Sequence, residues 1–280
     1  MKVLAPGVCS NSQAYFHTPS IQARQMFFYP LCAGHFFCDS TYYVDRRQYD
    51  SFLVMYVERG SGYVELDGIQ TPLKAGSFLM LDCYLPHRYG TTEGWETYWL
   101  HFDGVLARQY YDCCTAHGNI LKLTQPFAAR QNLVKLFEEL QSRPIVNEAV
   151  SSRRITALLT EFLCEQDHST VQTGSAAVES AIAYISENAH LPITLDMVAQ
   201  HASLSRYHFV RTFKKETGFT PHEYLLLTRI NMAKYLLRTG KEPVKAIAYR
   251  CGFQSESSFC TAFKKIVSLT PMQYREGSDE

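Results

Sequence analysis

The sequence predicts a two-domain α+β chain: a β sandwich or jelly roll with trailing helices, followed by an all-α domain carrying two helix-turn-helix motifs. Three observations predict it. Residues from about 20 to 105 alternate in short strand-like runs punctuated by Gly and Pro. From Ala176 onward the apolar positions recur with helical spacing. Within that helical stretch Phe213-Lys214-Lys215 and Thr220-Pro221-His222-Glu223-Tyr224 return fifty positions later as Phe263-Lys264-Lys265 and Thr270-Pro271-Met272-Gln273-Tyr274. Upstream, Val198-Ala199 matches Ile247-Ala248 and Ser203-Leu204 matches Gly252-Phe253 at a spacing of 49. Such an echo means one structural unit built twice.

Taken in order, Phe52 to Val57 reads as a buried strand, Glu58-Arg59-Gly60-Ser61-Gly62 as a turn, and Tyr63 to Leu66 as the partner strand. Asp67-Gly68 is a two-residue hairpin signal. Leu73-Lys74-Ala75-Gly76-Ser77 turns into a strand over Phe78 to Leu81, and Pro86-His87 precedes another at Tyr98-Trp99-Leu100-His101-Phe102. Alternation sets Trp99 opposite Tyr98, Leu100 and Phe102, and does not say which set points inward.

Arg130 to Gln141 and Glu148 to Glu165 follow as helices. The stripe Ile155, Leu158, Leu159, Phe162, Leu163 is wide enough to pack on the barrel and to pair with a second subunit. The domains predicted are therefore 1–166 and 176–280, joined by the polar linker 167–175.

In the second domain Val178, Ile182, Ile185 and Ala189 form one apolar stripe, ended by Leu191-Pro192-Ile193. Thr194 is placed to cap a short helix over Leu195, Val198 and Ala199. After the turn Ala202-Ser203-Leu204, Ser205 caps a helix carrying Phe209 and Phe213. Pro221 to Arg238 reads as one continuous helix stopped at Thr239-Gly240. Pro243 then serves as a first-turn residue for a helix over Val244, Ile247 and Ala248. Cys251-Gly252-Phe253 turns into a last recognition-type helix opened by Gln254 or Ser255. Phe213, Phe263, Tyr224 and Tyr274 are expected in the core.

Composition narrows the function. The net charge of zero divides unevenly: residues 1–174 carry 14 Lys+Arg against 17 Asp+Glu (net −3), and 175–275 carry 13 against 7 (net +6). The positive, repeated end suits a polyanion. No apolar run reaches the ~18 residues of a membrane span and the N-terminus does not read as a signal peptide, so a cytoplasmic protein without a membrane partner is expected. Nine cysteines at scattered spacings, with no C-x-x-C pair, argue against a disulfide framework or a zinc ribbon. Most are expected as small buried apolar groups; the vicinal Cys113-Cys114 is the one redox-type candidate, disfavoured because nothing basic flanks it to lower a thiol pKa.

The exposed side of the first unit's second helix offers Arg206, Tyr207, Val210 and Arg211, with Lys214 and Lys215 at its end for phosphates. The second unit offers Ser255, Glu256, Ser257 and Thr261, with Lys264 for phosphate. Arg is the commonest reader of guanine edges. The segment from about 176 to 275 resembles the DNA-binding domain of the AraC/XylS family of transcription regulators. The residues carrying the likeness run from Ile247-Ala248-Tyr249-Arg250-Cys251-Gly252-Phe253 through Ser258-Phe259 and Phe263-Lys264-Lys265 to Thr270-Pro271-Met272-Gln273-Tyr274-Arg275. What the resemblance implies is two helix-turn-helix motifs on one long helix, with base-contacting positions at Arg206, Tyr207, Val210, Arg211, Glu256, Ser257 and Thr261. Many members have Arg or Lys where this chain has Thr261, and Gly where it has Ser268; the N-terminal motif is therefore expected to supply most of the specificity.

The N-terminal half resembles the cupin-like effector domain of the same family in Gly60-Ser61-Gly62, Leu73-Lys74-Ala75-Gly76-Ser77, Leu85-Pro86-His87-Arg88-Tyr89 and Tyr98-Trp99-Leu100-His101-Phe102. Metal cupins carry an H-x-H where this chain reads Tyr63-Val64-Glu65, so no metal, no cofactor and no enzyme activity are expected. Trp99 and Tyr56 would offer flat apolar faces, and Arg46, His87, Tyr89 and His101 oriented hydrogen bonds, which suits a carbohydrate. The expectation is a dimeric, sugar-responsive transcription activator of a sugar-utilisation operon. Its partners would be double-stranded DNA, a small-molecule effector, RNA polymerase and a second copy of itself. The alternatives are a ligand-independent activator whose barrel only dimerises, and a sensor of redox state or another metabolite.

Overall fold

The computed structural model describes residues 5–142, 145–170 and 174–277. The chain divides into two compact units, Met1–Thr170 and Val171–Glu280. The segment expected as a linker lies at this division. Helix runs on to Thr170 and resumes at Gly174, because no Pro or Gly interrupts the run before Gly174, and 171–173 lie outside the described residues.

The first unit contains β1 (Gln13–Phe16), α1 (Ile21–Met26), β2 (Phe28–Cys38), β3 (Tyr43–Arg46), β4 (Phe52–Leu66), β5 (Ile69–Lys74), β6 (Phe78–Asp82), β7 (His87–Gly90), β8 (Trp95–Gly104), α2 (Ala107–Cys114), β9 (Ile120–Leu121), α3 (Phe127–Ser142) and α4 (Glu148–Thr170). One antiparallel layer has the order β1-β2-β8-β4-β6-β9, and β3, β7 and β5 form a second layer with the far half of β4.

The stretch Glu58 to Gly62 is not a turn. β4 is one strand through it, pairing with β6 over Phe52–Tyr56, with β8 over Phe52–Gly60, and with β5 and β7 from Ser61 onward. A register shift between Val57 and Arg59 bends it, and Gly60 takes φ 81° there. A Cβ on Gly60 would stand 2.2 Å from the carbonyl oxygen of Gly94, so only glycine fits the corner. Two glycines around a bulge carry the same local signal as a hairpin, and only the partner strands distinguish them. The Asp67-Gly68 hairpin is present, with φ 51° and 77° at its two residues and Leu66 paired to Ile69.

The parity of the central strands is fixed by what covers each face. Phe52, Val54, Tyr56, Leu100 and Phe102 lie in the core that α2, α3 and α4 close. Leu53, Met55, Val57, Leu79, Leu81 and Trp95 face the second layer, with Trp99 packed against them. Ile155, Leu158, Leu159 and Phe162 on α4 are fully buried against the sheet of their own unit. These four are covered within the unit, and Leu163, the fifth residue of the stripe, is half-buried.

The second unit is α5 (Gly174–Asn188), α6 (Leu195–His201), α7 (Arg206–Thr217), α8 (Pro221–Thr239), α9 (Val244–Arg250), α10 (Glu256–Val267) and α11 (Pro271–Glu276). Phe209 and Phe213 close the first core and Phe259 and Phe263 the second, with all four fully buried. α8 serves both: Leu225 packs on the first, while Ile230, Ala233 and Leu237 enter the second. Its 19 residues make it about 28 Å long. Thr220-Glu223 and Thr270-Gln273 form reciprocal capping boxes at α8 and α11, each about 1 kcal/mol of helix stability. Thr194 caps α6 as expected, whereas Ser205 holds the cap position of α7 with no side-chain bond. Pro243 stands one residue before the helix rather than in its first turn.

The repeat has exchanged its special backbone positions. In the turn between the paired helices the first copy has Ser203 at φ 55° and the second Gly252 at φ 80°. After the second helix of each pair the first copy has Gly218 at φ 78° and the second Ser268 at φ 66°. Each copy thus holds one serine in the left-handed region, where a side chain costs roughly 1 kcal/mol.

Candidate nucleic-acid interface and ligand cavity

On α7 the buried pair Phe209 and Phe213, one helical turn apart, sets the orientation of everything else. Arg206, Tyr207, Arg211, Lys214 and Lys215 are exposed, Tyr207 at 81%, and Val210 is half-buried beside them. The helix therefore presents an aromatic ring flanked by four cations. His208 is also exposed on this helix and was missed, because an imidazole among arginines gives no distinct sequence signal. Arg206 reaches Asp196 on α6 at 3.4 Å; both are well exposed, so the pair is worth little and leaves the guanidinium free to move to another acceptor.

On α10 Phe259 and Phe263 play the same part, and Glu256, Ser257, Thr261 and Lys264 are exposed. Ser255 is the N-cap of α10: its hydroxyl accepts from the Ser258 backbone N–H at 3.1 Å and is committed to the helix start. The face is short, hydroxyl-rich and carries Glu256, in contrast to the cationic face of α7.

Arg229 on α8 joins the two motifs. Its Nε donates to the Ala189 carbonyl at 2.8 Å and its Nη2 to that of Leu191 at 2.7 Å, both before α6. Its guanidinium also stands 5.9 Å from the Phe253 ring in the turn of the second motif. A Cβ on Gly252 would meet Ala189 O at 2.5 Å and Arg229 Nε at 2.9 Å, so the glycine makes room for this brace. Burial pushes the Arg229 pKa down, yet the two carbonyls satisfy its charge.

In the first unit a cavity of about 420 Å³ opens between the layers, within the size range of small-molecule sites. Arg46, Tyr89, Trp99 and His101 line it together. Tyr56 does not: it lies on the helix-covered face, with its ring 4.6 Å from Phe78. Tyr56 and Trp99 differ in which layer covers them, and period-two spacing alone cannot report that. His87 also falls outside the lining. Its ring lies parallel to Tyr89 at 6.2 Å, Nδ1 bonds the Leu85 carbonyl at 2.8 Å, and Nε2 is buried without a partner.

The sequence reading missed Cys32, Phe36, Tyr42 and Tyr49 in the lining. Phe36 meets the Trp99 ring edge-on at 5.0 Å, and the Arg46 guanidinium sits 5.0 Å from the Tyr49 ring. The Ser51 hydroxyl is 2.8 Å from His101 Nδ1. Burial, with smaller contributions from Arg46 and His87, pushes the His101 pKa down to about 3, so its ring is neutral at ordinary pH. Burial also raises the phenols of Tyr42, Tyr49 and Tyr89, which stay protonated donors.

Burial lifts the thiols of Cys38, Cys83 and Cys114 to about 12 and that of Cys251 to about 11, far from the thiolate that redox chemistry needs. In the pair Cys113-Cys114 the first residue is exposed and the second is buried. Among the described residues no group of three or more His, Cys, Asp or Glu could hold a metal, and no helix is long and apolar enough to cross a membrane.

Comparison with known proteins assigns both halves. Residues 29–163 match the family model of an AraC-like ligand binding domain, and residues 198–277 that of a helix-turn-helix domain. The MmsAB operon regulatory protein of Pseudomonas aeruginosa is 23% identical over 259 residues, covering 89% of this chain and 82% of its own. The transcriptional activator RhaS of Enterobacter sp. strain 638 is 31% identical over 135 residues, or 48% of this chain and 49% of its own length. The probable regulator LumQ of Photobacterium leiognathi is 34% identical over 92 residues; there the match spans 37% of that protein. Among solved structures, the DNA-binding domain of AdpA in complex with a target DNA is 30% identical over 35% of this chain and 89% of its own, with a TM-score of 0.35.

Proposed function

We propose, for a chain that belongs to the AraC family of DNA-binding transcription regulators, that it is a dimeric activator whose first unit binds a small carbohydrate-class effector. The observation that carries this reading is the open cavity of the first unit, which brings the apolar Trp99 and Phe36 rings together with phenol and guanidinium donors. An aromatic face with hydroxyl-directed donors around it suits a pyranose ring. A barrel that served only to dimerise would have no use for such a space.

The α7 face would read base edges through Arg206 and Arg211, and α10 would add a weaker contact through Ser257 and Thr261. Effector binding acts by differential affinity for two arrangements of the dimer; a ligand without that difference shifts nothing. RNA polymerase is the partner an activator requires, and the name of the RhaS relative supports activation over repression.

Sequence selection from a random DNA pool, run on the purified protein with and without a mixture of common sugars and sugar acids, tests the reading. Recovery of two short boxes about one helical turn apart, enriched further by the mixture, is expected. Boxes recovered equally well without the mixture would remove the effector and leave a constitutive activator.

A further inference from the structure

We infer that the effector carries a single carboxylate, and that Arg46 at the cavity mouth is its counter-ion. The inference deepens the effector reading above and rests on it: within the carbohydrate class it selects a sugar acid over a neutral sugar.

Among the described residues Arg46 is the only Lys or Arg lining the cavity, and it is exposed to solvent there. Elsewhere in the first unit Arg59, Arg88, Arg108, Arg130 and Arg154 each pair with a carboxylate. Among the described residues Arg46 pairs with none. Asp45, its chain neighbour at the cavity edge, is held by Arg88 Nε at 2.9 Å. Asp82 is taken by Arg108 at 2.6 Å. The Arg46 side chain rests on the Tyr49 ring instead, a contact that orients a guanidinium and leaves its N–H groups free.

The wall around it offers no free carboxylate to compete for that guanidinium. It contains no Asn, Gln or Glu, and its one carboxylate is the paired Asp45. The remaining polar side chains are phenols, a thiol, the Trp99 indole N–H and a neutral imidazole whose Nδ1 is already engaged by Ser51. The phenols serve the hydroxyls of a neutral sugar and of a sugar acid alike, but a neutral polyol brings no charge to answer the unpaired guanidinium. A carboxylate only accepts, and a planar guanidinium meets it with two parallel bonds. One free positive charge matches one negative charge; a phosphate dianion would call for more cations than the wall holds.

Isothermal titration of the full-length protein tests this with D-galacturonate, D-glucuronate and D-gluconate, against D-galactose and D-glucose, and against isobutyrate as a carboxylate without a sugar body. The expected result is binding of a sugar acid, absence of its neutral counterpart at the same concentrations, and at least a tenfold loss in Arg46→Met. The exposed position of Arg46 lets that variant keep its unfolding temperature, which is measured alongside. Binding of a neutral sugar as tightly as of its acid overturns the carboxylate assignment and leaves the effector site standing, as does acid binding that Arg46→Met does not weaken. Isobutyrate binding as tightly as any sugar acid keeps the Arg46 pairing and overturns the sugar body. Silence with every compound overturns the effector reading together with the inference.

Discussion

Gly34 and Trp99 are cross-strand partners on β2 and β8, and the indole lies over the glycine so closely that a Cβ there would stand 2.3 Å from Trp99 Cζ2. The Trp99 Nε1 atom is buried in this contact without a hydrogen-bond partner. Gly34→Ala has to push the ring off its seat and into the cavity. We expect a loss of about 1–3 kcal/mol from overpacking, a changed tryptophan emission spectrum, and weakened effector binding. Unchanged emission would mean that the backbone of β2, not the indole, gives way.

The exchange of glycine and serine between the two copies makes a paired prediction. Ser268→Gly relieves a left-handed serine in an exposed cap and should stabilise the second unit by about 0.5–1 kcal/mol, reduced somewhat by the added freedom of the unfolded chain. Gly252→Ser has the opposite sign, because its Cβ would collide with the Ala189 carbonyl and with Arg229. Urea unfolding of the two variants checks both directions at once.

The unequal recognition faces predict unequal mutants. Arg211→Ala is expected to cost about 1–3 kcal/mol on the preferred site and to relax sequence preference in one box only. Lys264→Ala should weaken every sequence alike and lower the slope of binding against salt by about one. Quantitative gel shifts at several salt concentrations separate these outcomes, and an Arg211→Ala protein with unaltered preference would place that side chain away from the bases.

His101 makes the first unit sensitive to acid. Its folded pKa, near 3, lies below the value of about 6.5 expected in the unfolded chain, so the unfolded state binds the extra proton. Its contribution is therefore fully present above about pH 6.5 and is lost as pH falls towards 3, at up to about 1.4 kcal/mol per pH unit. His101→Asn, which keeps an acceptor or donor for Ser51, should flatten the dependence of unfolding free energy on pH between 6.5 and 4.5 by close to one proton. An unchanged slope would show that the ring is protonated in the folded unit after all.

How far the sequence foretold these features depends on where the information resides. The repeated helices were legible because Phe209, Phe213, Phe259 and Phe263 recur at the spacing of a helix face, and burial follows from that spacing alone. The bend in β4 was not legible, since a bulge and a hairpin both ask for glycine and differ only in which strands lie alongside. For the same reason Tyr56 was assigned to the cavity: strand parity is relative, and the covering helices fix its sign. The wide apolar stripe of α4 announced burial without saying whether its cover was the barrel or another chain. Arg46, Tyr89, Trp99 and His101 were chosen for their chemistry, and the structure brings these four to one cavity.

Arg229 ties the segment before the first motif to the turn of the second through two carbonyls and one ring. A reader built this way behaves as a caliper with a locked hinge. On the two-box reading proposed above, inserting half a helical repeat of base pairs between the boxes turns one of them to the far side of the duplex and is expected to abolish joint binding in a gel shift.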